Sequence, residues 1–132
     1  MRVRWSFRTD ERGSAPVEFV LVGTLLTALT LAVLQFGLAV YVRNVLHDAA
    51  VEGAYRAALA DTSDAEGADR TREVITRAIG PDYAQDVTVA EGQVEGYPLV
   101  QVTVRAPLPL IGLIGLPGTW EVTGSAPAES FD

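Results

Sequence analysis

One short passage of this 132-residue chain has residue types and spacing suited to chemistry on the chain itself. It reads Arg12-Gly13-Ser14-Ala15-Pro16-Val17-Glu18-Phe19. A glycine stands five residues before a glutamate, and the glutamate opens an apolar run from Phe19 to Val42 with no charge in 24 residues. A carboxylate at the mouth of a membrane-length segment is costly, and chains that keep one there use it. The passage reads as a processing and assembly signal, with the rest of the chain as its cargo.

Other constellations are poor. With no cysteine there is no thiol nucleophile. The single histidine, His47, sits beside Asp48 on a helix surface, a pattern of a solvated side chain and not of a metal ligand. Asp61, Asp64, Glu66 and Asp69 are four acids in a short stretch, but they lack the spacing of a calcium loop. The sequence has no glycine-rich phosphate loop with lysine, and its serines fall in turns and caps. The reading is a non-enzyme with no cofactor, no metal and no small-molecule substrate.

The elements that carry the motif follow from charge and periodicity. As a helix, Phe19–Val42 spans about 36 Å, enough to cross a hydrocarbon core. It is too long for the core of a cleaved secretory signal. Its threonines, Thr24, Thr27 and Thr30, share one flank and can bond back to the helix. Up to Arg43 there are five arginines against three acids, net +2; beyond it five arginines face fourteen acids, net −9. The arginines before Gly13 place the N-terminus in the cytoplasm and the acidic part outside the membrane. Trp5 and Phe7 among them suit an interfacial anchor. An acidic domain also excludes nucleic acid as a partner.

Beyond Val42 the apolar stripe continues without proline, so one helix is predicted over residues 14–60: transmembrane at about 19–42, then an amphipathic extension. Pro16 falls in its first turn. The face Ala49, Ala50, Gly53, Ala54, Ala57 and Ala58 suits close packing, on the chain's own core or on a neighbouring subunit. Ser63 and Glu66 form a capping box for a second helix over 64–79, with Ala68, Thr71, Val74, Ile75, Ala78 and Ile79 inward and Gly80-Pro81 as its stop. The period then changes to two. Strands are predicted at 86–90, 99–106 and 120–126, the first two joined by a loosely closed hairpin. Pro107–Gly118 is apolar but too rich in glycine and proline for a regular element, and packing over the sheet end is its expected role. Pro127–Asp132 reads as a frayed tail.

These residues resemble TadE-like minor pseudopilins of the tight-adherence (Flp-type) pilus systems, small bacterial proteins made as prepilins. The resemblance rests on residues 12–19, then Gln35-Phe36-Gly37, Tyr41-Val42-Arg43 and Glu52-Gly53-Ala54-Tyr55-Arg56. It covers roughly residues 12 to 60. Three departures stand out. Gln35 replaces an acid, Tyr55 displaces Arg56, and Pro16 takes the place of a small helix former. The last is expected to slow recognition of the cleavage site or to stiffen the new N-terminus, without abolishing either.

The resemblance implies a type IV pilin-like α+β fold: a long N-terminal helix, a second short helix and a small antiparallel sheet. It implies a cytoplasmic leader, residues 1–13, removed between Gly13 and Ser14 by a membrane prepilin peptidase. Glu18 and Phe19 would then serve recognition and assembly, and 61–132 would form the extracytoplasmic part. The implied function is that of a minor pseudopilin, a single-pass protein of the cell membrane acting in assembly of an adhesive pilus or related secretion machine. The other pilins of the system would be its partners. The competing reading is an anchored adapter that binds an envelope component without polymerising.

Overall fold

The structure is a computed structural model that describes residues 8–108 and 118–129, with side chains from Gly13 onward. Its order is α1 (Arg8–Ala58), α2 (Asp64–Ile79), a 3₁₀ turn (Pro81–Tyr83), β1 (Asp86–Val94), β2 (Tyr97–Pro107) and β3 (Thr119–Pro127). This is an α+β chain with a pilin-like layout. It divides into two units, one up to Phe36 and one from Gly37 onward.

The first unit is the N-terminal part of α1. Its helix starts at Arg8 rather than at residue 14, so Pro16 lies inside the helix and not in its first turn. Every large apolar side chain from Val17 to Leu34, and Phe36, is exposed, Phe19 at 79%. Thr27 and Thr30 donate their hydroxyls to the carbonyls of Gly23 and Leu26, each at 2.8 Å, so both are satisfied within the helix.

The second unit is a sheet of order β1-β2-β3, antiparallel throughout, with helices packed on it. Alternation decides its two faces. The inner face carries two aligned rows, Val87–Val104–Val122 and Val89–Val102–Gly124, and most of these side chains are buried. The outer face carries the row Thr88–Thr103–Thr123 and the cross-strand pair Arg105–Glu121. Against the valines lies the small-residue face of α1: Ala49, Ala50, Gly53, Ala54, Ala57 and Ala58 are all buried. That face is therefore used by the chain's own core, which settles which of the two predicted packings the fold employs. Leu46, at 0% exposure, and Ile75 of α2 complete the centre, and Val42 is already buried at 3%.

Glycine sets how closely the layers approach. A Cβ on Gly124 would lie 2.5 Å from the Val51 nitrogen and 2.7 Å from the Ala50 carbonyl carbon. Such distances mean that β3 touches the α1 backbone.

α2 occupies the predicted residues, with one difference on its inner face. Gly67, Ala68, Thr71 and Ile75 are buried, Val74 and Ile79 are half-buried, and Ala78 is exposed. Ser63 accepts from the Glu66 N–H at 3.3 Å, and the Ser63 N–H donates to the Glu66 carboxylate at 2.9 Å. Gly80, at φ 104°, ends the helix.

The hairpin is tighter than expected. Glu91-Gly92 is strand, with Gly92 paired to Leu99, and the turn is the two residues Glu95-Gly96 between Val94 and Tyr97. Both take positive φ, 52° and 82°, as a type I′ turn demands. The predicted frayed tail is also partly anchored. Pro127 pairs with Leu99, the Ala128 N–H donates to Pro98 O at 3.1 Å, and the Glu129 N–H donates to Ala58 O at 2.9 Å. Of the apolar passage Pro107–Gly118, residues 109–117 lie outside the described residues; its ends are joined by the Leu108 N–H donating to Gly118 O at 3.0 Å.

Candidate functional site

The candidate site is the stretch from Gly13 to Phe19 on α1, together with the apolar surface that follows. The tail residues Arg2, Arg4, Trp5 and Phe7, expected to hold the chain at the cytoplasmic interface, lie outside the described residues. Gly13, Ser14, Glu18 and Phe19 are all helical and exposed.

Helix geometry decides which of them share a face. Ser14 and Glu18 are four apart and stack one turn over the other. Gly13 and Glu18 are five apart and point about 140° away from each other. The carboxylate is thus aligned with the residue that follows the Gly13–Ser14 bond, and not with the glycine. Among the described residues nothing lies within 4 Å of where Gly13 would carry a Cβ. No described neighbour requires a glycine there, in contrast to Gly53 and Gly124.

Above Glu18 the helix surface offers no further acid or base up to Phe36. Gly23 leaves a shallow notch flanked by Phe19, Val20, Thr24, Thr27 and Leu31. α1 is long and apolar enough to cross a membrane, and its apolar window is unburied by the rest of the chain. One N-terminal helix of this kind fits a single-pass anchor.

Elsewhere, a polar groove between α1 and α2 is lined by Glu52, Tyr55, Arg56, Glu66, Arg70 and Glu73. Arg70 bridges the two helices: it pairs with Glu52, and with Glu73 at 3.4 Å, while Glu73 also takes Arg77 at 2.7 Å. The hydrogen bond to Glu52, followed by that carboxylate's charge, raises the Arg70 pKa above its ordinary value. A raised basic group keeps its full stabilisation below its unfolded pKa and loses it only as pH rises through the folded one, so the Arg70 guanidinium stays charged at any ordinary pH. Glu52, Arg70 and Glu73 satisfy one another along this groove, and no nucleophile–base pair lines it among the described residues.

The remaining sequence candidates are accounted for in the same way. Of the four acids expected not to bind calcium, Glu66 is engaged in the capping box and Asp69 pairs with Arg72 at 3.0 Å. His47 is exposed and stands 3.9 Å from Asp48. Among the described residues no group of three or more potential metal ligands converges.

The Glu52-Gly53-Ala54 stretch acquires a physical reason. Glu52 holds Arg70, Ala54 is fully buried, and Gly53 sits where α2 crosses. Sequence reasoning placed Thr71 on the inner face of α2 but missed Gly67 and the pairing of both with Gly53. The signal was present, since a glycine inside a strong helix pattern marks a close approach. The Thr71 hydroxyl, fully buried, donates toward Gly67 O at 3.1 Å and Ala49 O at 3.2 Å.

Compared with known proteins, residues 13–54 match the family model described as TadE-like protein. That match begins at Gly13, takes in Glu18 and the whole exposed apolar stretch, and ends within the Gly53 crossing. No curated protein and no solved structure matches the chain.

Proposed function

We propose, from the TadE-like segment at residues 13–54, that the chain is made as a prepilin-like precursor and acts as a minor pseudopilin. The TadE-like family implies involvement in tight-adherence (Flp-type) pilus assembly, and it is not known for catalysis. In the proposed sequence of events the helix inserts with Arg2, Arg4, Arg8 and Arg12 on the cytoplasmic side and the acidic unit outside. A prepilin peptidase then hydrolyses the Gly13–Ser14 bond. Ser14 becomes the first residue and Glu18 the fifth.

The observation that carries this reading is the alignment of Ser14 with Glu18 at the foot of an exposed apolar helix. After cleavage an ammonium on Ser14 and a carboxylate on Glu18 occupy one face at the membrane boundary. When such helices pack side by side, the ammonium of one chain lies within reach of the carboxylate of the next. An unpaired charge in low dielectric is costly, so this pairing would fix the register of assembly. The membrane-facing stretch is proposed to be Val17–Phe36, about 30 Å at 1.5 Å per residue, rather than 19–42. Support for the shorter span comes from Val42 and Leu46, which are buried in the folded unit's core.

The test is the mass of the full chain extracted from membranes after co-expression with its pilus genes. The expected product lacks residues 1–13. An intact N-terminus would overturn the processing reading and favour an anchored adapter.

A further inference from the structure

The Gly13–Ser14 bond is helical in the unprocessed chain, because α1 starts at Arg8. Proteases act on extended peptide, so α1 must open locally before the bond can be cut. Two residues that weaken a helix flank that bond. Gly13 has no Cβ and loses the most backbone freedom on becoming helical. Pro16, inside the helix, has no N–H to give to the Arg12 carbonyl, and its ring crowds that carbonyl. Proline also biases Ala15 before it toward extended backbone once the turn opens.

The same proline is harmless in the product. With Ser14 as the first residue, Pro16 is the third, and the first four N–H groups of a helix have no intrahelical partner in any case. Pro16 therefore disfavours the helical precursor while leaving the trimmed helix intact.

We infer that Pro16 is a positioning residue for leader removal: it opens α1 around the Gly13–Ser14 bond and restarts the helix just beyond it. This rests on the processing reading above. It also reverses the sequence expectation that proline there hinders recognition. In the step itself, water adds its hydroxyl to the Gly13 carbonyl carbon and the C–N bond breaks. The nitrogen takes both of the water's protons and becomes the Ser14 ammonium, while Gly13 leaves as a carboxylate. The peptidase supplies the catalytic groups, and Pro16 touches none of the reacting atoms.

The experiment compares full-length wild type, Pro16→Gly and Pro16→Ala in membrane vesicles. One readout is hydrogen exchange at the amides of residues 12–15, and the other is the time course of leader loss with the prepilin peptidase present. Protection is expected to rise from wild type through Pro16→Gly to Pro16→Ala, by about tenfold or more at the extreme. Cleavage should slow in the same order, with the melting midpoint of the folded unit unchanged. Equal or faster cleavage of Pro16→Ala, or unchanged protection, overturns the inference while leaving the processing reading intact. A wild type never cut overturns the processing reading, and this inference with it.

Discussion

Gly53 and Gly67 face each other where α2 crosses α1, each with its carbonyl oxygen 2.7 Å from the point at which the other would carry a Cβ. No side chain fits on either. Thr71 fills the space beside Gly53, and Ala57 the space beside Gly67. Gly53→Ala and Gly67→Ala are expected to destabilise the folded unit by about 1–3 kcal/mol each through overpacking. Thermal melting of the full chain in detergent, followed by circular dichroism, measures this. Unchanged midpoints in both variants would mean that the helices separate freely.

A second contrast concerns two strand glycines. Gly124 meets the α1 backbone at Val51, which cannot rotate away, whereas Gly92 has nothing within 4 Å and an ordinary φ. Gly124→Ala is expected to cost at least about 2 kcal/mol, and Gly92→Ala to stay within about 0.5 kcal/mol of wild type. Denaturant titration of the two variants checks the difference. Equal losses would remove the close approach of β3 to α1 as the cause.

The capping box predicts a local effect. Ser63→Ala removes the acceptor of the Glu66 N–H and should cost about 1 kcal/mol. Glu66→Gln keeps an acceptor for the Ser63 N–H and should cost less. Faster hydrogen exchange confined to the first turn of α2 is the signature to look for. Exchange rising throughout the unit would point to a different origin.

Glu18 gives a prediction about assembly. Glu18→Ala removes the carboxylate aligned with Ser14, so incorporation of the trimmed chain alongside its pilus partners is expected to fall sharply. Glu18→Asp, which keeps the charge on a shorter arm, should fall less. Immunoblots of sheared pili and of purified membranes report both. Incorporation of Glu18→Ala at wild-type level would discard the register role.

Legibility differed by element, for physical reasons. The second helix was readable to the residue because Ser63, Glu66 and Gly80 act locally and leave little to tertiary context. The valines of 100–104 announced β2 in the same way. Pro16 suggests a first turn, yet the residues before it join the same helix, so α1 starts earlier than its proline implies. Gly92 falls between the predicted strands 86–90 and 99–106, but cross-strand pairing to Leu99 overrides its weak strand preference. The proposed processing motif rests on its spacing against an apolar run, a pattern read without any tertiary contact. The crossing at Gly53 was half legible: a glycine inside a strong helix pattern signals a close approach, but Gly67 and Thr71 meet it only through the return of α2.

The Glu129 N–H bond to Ala58 O and the buried Val122 and Ala126 carry a consequence for biogenesis. A ribosome releases α1 first and β3 last, so the alanine face of the helix stays bare through most of translation. The sheet cannot shield it until residue 129 has cleared the exit tunnel. A premature stop just before β3 would therefore leave the alanine face of α1 without the cover that Val122 and Ala126 provide.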